Sequence, residues 1–145
     1  MRVMKFAAVA GALVAGLSIA VADADAGHRA KAAVKKADAC PALTVIDPDA
    51  DGKMTLLEAL RAGKKTFRKL NKDRDITLEL AELGGRMSPK AFAKADLDKR
   101  GKLWLGEYLH EVKLRFKAAN PDKDRSIECS ELYSKNGKLL ARLLY

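Results

Sequence analysis

Asp47-Pro48-Asp49-Ala50-Asp51-Gly52-Lys53-Met54-Thr55-Leu56-Leu57-Glu58 is the stretch on which the reading of this chain turns. Carboxylates at its first, third and fifth positions can converge on one side of a hard cation. The glutamate at the twelfth then closes the cage from the other side with two oxygens. The pattern recurs as Asn71-Lys72-Asp73-Arg74-Asp75, Asp96-Leu97-Asp98 and Asn120-Pro121-Asp122-Lys123-Asp124, closed by Glu82, Glu107 and Glu131. The starts fall at 47, 71, 96 and 120, a period of 24 or 25 residues. One such match is common among acidic loops by chance; four at a fixed period are not.

Loop one satisfies the whole EF-hand template. Asp47, Asp49 and Asp51 offer carboxylates, Gly52 makes the sharp turn, and the Lys53 carbonyl stands seventh. Thr55 could coordinate directly or hold a water, and Glu58 closes the loop. The eighth position is apolar throughout (Met54, Leu78, Leu103, Ile127). In paired hands this residue forms a two-stranded bridge and packs into the core. Loop two supplies Asn71, Asp73, Asp75, the Thr77 carbonyl, Glu79 and Glu82, with Ile76 where glycine belongs. Loop four supplies Asn120, Asp122, Asp124, the Ser126 carbonyl, Glu128 and Glu131, with Arg125 in the glycine place. A left-handed backbone costs a residue with a Cβ roughly 1–2 kcal/mol, more when it is β-branched. Loop three keeps Asp96, Asp98, Gly101 and Glu107 but carries Arg100 fifth and Trp104 ninth. A guanidinium donates no oxygen and repels a cation, so loop three reads as a structural relic. The ranking for metal is loop one, then two and four, then three; the alternative is that all are acidic turns that hold no ion.

The period leaves room for one helix between consecutive loops. Leu56, Leu60, Gly63, Phe67 and Leu70 form one helical stripe, and Leu105, Leu109, Val112, Phe116 and Ala119 repeat its spacing. Between loops two and three, Gly84-Gly85 is expected to end one helical piece. Ser88-Pro89 reads as the N-cap and first-turn proline of the next. After loop four, Asn136-Gly137 is expected to break a last segment carrying Leu139, Leu140, Leu143 and Leu144. The expected fold is all-α: four closely spaced EF-hand motifs joined by single short helices in a small helical bundle. The metal domain spans 44–145, with loops 47–58, 71–82, 96–107 and 120–131.

Short-spaced hands joined by single helices, Pro48 and Pro121 at second loop positions, and an export signal together resemble lanmodulin. That family comprises periplasmic lanthanide-binding EF-hand proteins of methylotrophic bacteria. Asp47-Pro-Asp-Ala-Asp-Gly52, Glu58-Ala-Leu-Arg-Ala-Gly63 and Phe116-Lys-Ala-Ala-Asn-Pro-Asp122 are similar to it at matching places. The likeness covers residues 44 to 132. It implies a trap for trivalent rare earths that folds on binding, with an acid at the ninth loop position. Glu79 and Glu128 match that position; Thr55 and Trp104 do not, and Lys72 and Leu97 replace the second-position proline.

The family is acidic, whereas this chain of 145 residues has 28 Lys and Arg against 19 Asp and Glu, a net charge of +9. The surplus lies on the connecting helices (Arg61, Lys64, Lys65, Arg68, Lys69) and in a basic lead-in, 27–43, with Arg29, Lys31, Lys35 and Lys36. A basic face invites an anionic envelope component or an acidic protein; its plainer reading is a solvated surface. No nucleic-acid motif accompanies it. Arg2 and Lys5, the apolar run from Phe6 to Ala22, and Ala24-Asp25-Ala26 read as a secretory signal peptide, residues 1–26. Periplasmic or secreted location follows, with no transmembrane span after cleavage; an uncleaved anchor is the alternative. Two cysteines, Cys40 and Cys129, suit one disulfide in an oxidising compartment, free thiols being the other reading. His28 and His110 are the only histidines, and no nucleophile, base and orienter set is recognisable, so no enzyme is expected.

Two readings from other classes stay beside the Ca²⁺- or lanthanide(III)-binding one. One is a degenerate EF-hand scaffold whose basic face binds an anionic partner; the other is a membrane-surface protein held by its N-terminal segment. Oligomeric state is open.

Overall fold

A computed structural model describes residues 40–145, which lie in one compact unit. The expected signal peptide and cleavage site, His28 and most of the basic lead-in lie outside the described residues.

The architecture is mostly helical, with two very short antiparallel strand pairs. In chain order the elements are β1 (Met54–Thr55), α1 (Leu56–Leu70), β2 (Thr77–Leu78), α2 (Pro89–Ala95), β3 (Leu103–Trp104), α3 (Leu105–Ala119), β4 (Ser126–Ile127), α4 (Cys129–Leu132) and α5 (Lys135–Leu144). Helices α1 and α3 have 15 residues each, about 22 Å at 1.5 Å per residue. Each therefore carries the chain from an acidic loop at one end to an acidic loop at the other. They pack on each other, and α5 packs against both.

Strand pairing closes the two ends. Met54 faces Ile127 and Thr55 faces Ser126, so loop one lies beside loop four. Thr77 faces Trp104 and Leu78 faces Leu103, so loop two lies beside loop three. The four eighth-position side chains are wholly buried, as their apolar character demands. A Cys40–Cys129 disulfide, with Cα atoms 5.5 Å apart, fastens the segment before loop one to the start of α4.

The core follows the stripes, with additions. Gly63, Phe67 and Leu70 of α1 and Val112, Phe116 and Ala119 of α3 are buried, while Leu56, Leu60, Leu105 and Leu109 pack at its margin. Tyr108, outside the stripe, is fully buried, edge-on to Phe67 with ring centroids 5.6 Å apart. Its hydroxyl donates to the Leu143 carbonyl at 2.8 Å, and the Thr66 hydroxyl donates to Leu144 at 2.8 Å. Two carbonyls that α5 cannot satisfy from its own last turn gain partners this way. Leu140, Leu143 and Leu144 are buried, but Leu139 is partly exposed.

Two boundaries differ from expectation. The segment before Gly84-Gly85 forms hydrogen-bonded turns rather than a helix: Glu82 and Leu83 N–H donate to Glu79, and Gly84 to Ala81. Both glycines have positive φ, which stops the ladder before a full helical turn repeats. Helix α2 does begin at Ser88-Pro89, Ser88 accepting from the Ala91 N–H. The second correction concerns Asn136-Gly137, which lies inside α5 and does not break it. The break falls at Tyr133-Ser134, where Ser134 caps α5 by accepting from the Gly137 N–H at 3.0 Å. Glycine is needed at 137 because a Cβ there would fall 2.1 Å from the Glu131 carbonyl oxygen.

Candidate metal centre

All four acidic loops share one backbone course. The fourth position has φ of 56–63° (Ala50, Arg74, Lys99, Lys123), and the sixth has φ of 75–81° (Gly52, Ile76, Gly101, Arg125). Ile76 and Arg125 thus adopt the turn that glycine makes in loops one and three, at the steric cost a Cβ brings.

Three loops start at a helix C-cap: the N–H groups of Asn71, Asp96 and Asn120 donate to Phe67, Phe92 and Phe116. The first ligand position therefore sits at the negative end of a helix dipole, a favourable place for a cation. Each closing glutamate lies in the first turn of the following structure and accepts from the ninth-position N–H. Those bonds run to Glu58 from Thr55 at 2.8 Å, to Glu82 from Glu79 at 3.2 Å, to Glu107 from Trp104 at 3.2 Å and to Glu131 from Glu128 at 3.1 Å. The Thr55 hydroxyl also donates to Glu58 at 2.8 Å and accepts from its N–H, so Thr55 is the N-cap of α1.

An acidic trio gathers in every loop, one oxygen from each member lying within 4.8 Å of the others. The trios are Asp47, Asp49 and Glu58; Asp73, Asp75 and Glu79; Asp96, Asp98 and Glu107; Asp122, Glu128 and Glu131. Asp51, Glu82 and Asp124 stand outside them. Asp51 accepts from the Lys53 N–H at 2.8 Å, and Asp124 from the Ser126 N–H at 2.9 Å. Loop three, read from sequence as a relic, assembles its carboxylates as well as loop one does, with Asp96 and Glu107 buried. Arg100 lies on Asp98 at 2.6 Å, so a guanidinium occupies the neighbourhood where a fifth-position oxygen would serve.

First-position residues fall into two kinds. Asp47 accepts from the Asp51 and Gly52 N–H groups at 3.3 and 2.8 Å, and Asp96 from those of Arg100 and Gly101 at 3.1 and 2.7 Å. The Asn120 amide instead donates into its own loop, to the Ser126 carbonyl at 2.5 Å and Asp124 at 3.3 Å. Its Oδ1 is left buried without a partner. Among the described residues, the buried side-chain oxygens in this condition are Asn71 Oδ1, Asn120 Oδ1 and Glu131 Oε1. All three belong to ligand positions of loops two and four. Orphaned buried acceptors cost about 1–3 kcal/mol each, and a cation is one partner that would satisfy them. The donors are hard oxygens throughout, which suits Ca²⁺ or a trivalent ion and not a thiophilic metal.

Electrostatics point the same way. A hydrogen bond with Asp47 raises the Asp49 carboxyl, and the charges of Asp51 and Glu58 add to it. Burial pushes Asp47 up, but the backbone N–H groups around it, Gly52 foremost, outweigh this and leave it low. Burial raises Glu131. In loops two and four the crowded charge is met by lysine. Lys102 reaches Glu79 at 2.5 Å and Asp75 at 3.0 Å, and Lys53 reaches Glu128 at 2.6 Å and Asp124 at 3.5 Å. Thr77 N–H and hydroxyl donations, with Lys102, hold Asp75 down to about 2. Both ammonium groups are raised, Lys102 mainly by Glu79 and Lys53 mainly by Glu128.

The sequence carries a signal for these lysine contacts, but it is split between two loops distant along the chain. If eighth positions pair antiparallel, the seventh residue of one loop faces the ninth of its partner. Lys53 then faces Glu128, and Lys102 faces Glu79.

Compared with known proteins, the chain matches no protein-family model and no curated sequence. No helix among the described residues is long and apolar enough to cross a membrane.

Proposed function

We propose that this protein is an exported metal-ion-binding protein whose acidic loops are EF-hands taking Ca²⁺ or a trivalent lanthanide ion. It serves as a buffer, carrier or sensor and is a divergent, basic relative of the lanmodulin type. The observation that carries this reading is the coincidence of three features within the acidic loops, the second of them in loops two and four. They are gathered carboxylate trios, orphaned buried oxygens at first and twelfth positions, and back-to-back pairing through the eighth residues. The disulfide fits an oxidising compartment. Loop one, with its glycine turn and four candidate carboxylates, is the tightest site. A trivalent ion of similar size accepts the same oxygen cage as Ca²⁺ and gains more from each carboxylate.

The test is a double variant, Asp47→Asn with Glu58→Gln, titrated with La³⁺ beside wild type. The tightest binding step disappears while the weaker steps remain. Tight binding that survives unchanged would overturn the ranking of loop one.

A second reading has an observation of its own. Arg61, Lys65 and Lys69 line one side of a groove of about 410 Å³ whose other walls include Val45, Ile46 and Leu144. An anionic, partly apolar partner would fit there, and binding of such a partner without metal would favour the scaffold role.

A further inference from the structure

The seventh-position lysine of one loop sits on the acids of its neighbour in both loop pairs. The strand register dictates this: with Met54 opposite Ile127 and Thr55 opposite Ser126, the next residue outward, Lys53, comes opposite Glu128. With Leu78 opposite Leu103, Lys102 comes opposite Glu79 in the same way. The other diagonal of each pair carries no charge, since Ser126 faces Thr55 and Thr77 faces Trp104. A ninth-position glutamate thus occurs only where a lysine faces it.

We propose that Lys53 and Lys102 are tethered counter-cations, which a metal ion must displace from loops four and two before those loops fill. This deepens the metal-binding reading and rests on it. The ammonium of Lys53 holds oxygens of Asp124 and Glu128, the fifth- and ninth-position donors that loop four would offer an ion. Lys102 holds the equivalent Asp75 and Glu79 of loop two. Loop four is also where Asn120, only 5% exposed, turns its amide nitrogen inward and leaves its oxygen orphaned. With Lys53 in place, Asn120 donates to Asp124 and Ser126; a metal ion would need the amide oxygen in that role. Among the described residues, no lysine pairs with the acids of loops one and three. Each pair therefore holds one loop guarded by its partner's lysine and one without a cross-strand guard, loop three carrying only its own Arg100 on Asp98. The guard belongs to the partner without one, since Lys53 is itself the seventh residue of loop one.

The consequence is a threshold. Displacing the ammonium costs any incoming ion the same free energy, so the more weakly held ion loses occupancy first. Both lysines are about half exposed. Removing one should raise affinity by about fivefold, the upper end of what an exposed ion pair is worth.

The experiment follows the Ile127 and Met54 amides by two-dimensional NMR during titration with chelator-buffered La³⁺, with Ca²⁺ as the weaker probe. Lys53→Met is compared with wild type, with Lys53→Arg, and with Lys90→Met, which removes the same charge from α2. In Lys53→Met, the Ile127 amide should titrate at about fivefold lower free ion for both probes. Lys53→Arg should behave as wild type, and Lys90→Met should change by less than about twofold. If Lys53→Met shifts no more than Lys90→Met while Ile127 still titrates, the lysine does not compete. Metal binding then stands and this proposal falls. If Ile127 is silent in wild type and in every variant, loop four takes no ion and both readings of it fail.

Discussion

Replacing Ile76 by glycine separates backbone strain from everything else the loop does. Ile76 has φ 75° and is 78% exposed, so its side chain contributes little burial to offset its conformation. Relief of the left-handed penalty should return roughly 1–2 kcal/mol, with an extra margin for the β-branch. Glycine's larger unfolded-state entropy takes back about 0.5–1 kcal/mol. The net expectation is a gain of about 0.5–1 kcal/mol, or about 2–6 °C in Tm for a domain of this size. The assay is urea unfolding in excess chelator, with Ile76→Ala as control because alanine keeps the Cβ that causes the strain. Gly52→Ala, at φ 81° in loop one, should run in reverse and lose about 1 kcal/mol or more. Equal gains from alanine and glycine, or a loss on Ile76→Gly, would refute the argument that loop two is strained at its sixth position.

Alkaline stability should rest on Tyr108. Burial raises its phenol, so the folded state keeps the proton longer than the unfolded one. Stability is then full below about pH 10, the ordinary tyrosine value, and falls as pH rises beyond it. Tyr108→Phe should remove that alkaline loss, read by ultraviolet titration at the tyrosinate band, and should cost about 0.5–1.5 kcal/mol at neutral pH for the hydrogen bond to Leu143. Replacing both Cys40 and Cys129 by alanine opens a bridge with a sequence separation of 89. The loss should be about 4–5 kcal/mol by the chain-entropy argument, read as a lower urea midpoint with a steeper slope, because the uncrosslinked unfolded chain exposes more surface.

Much of this arrangement is legible in the sequence because loop chemistry is local. Oxygen spacing, apolar eighth positions and helical stripes each concern residues within one turn or one loop, and the structure places them accordingly. The helices α1 and α3 and the start of α2 follow from the stripes and from Ser88-Pro89. What the sequence obscured depends on partners distant along the chain. Gly137 looks like a breaker until the Glu131 carbonyl is seen to occupy the space of its side chain. Tyr108 looks like a flank until α5 supplies a carbonyl for its hydroxyl. Loop three looks discarded because Arg100 replaces an oxygen, yet its backbone still gathers Asp96, Asp98 and Glu107. Within its own loop Lys53 offers only a carbonyl; its ammonium acquires meaning once loop one lies beside loop four.

The most direct test of the central claim is calorimetric titration of the chelator-stripped protein, residues 27–145, with La³⁺ and separately with Ca²⁺. The account predicts a tight La³⁺ step at loop one, weaker steps at loops two and four, and weaker Ca²⁺ binding throughout. No heat and no spectral change with either ion, in a protein that is already helical, would contradict it.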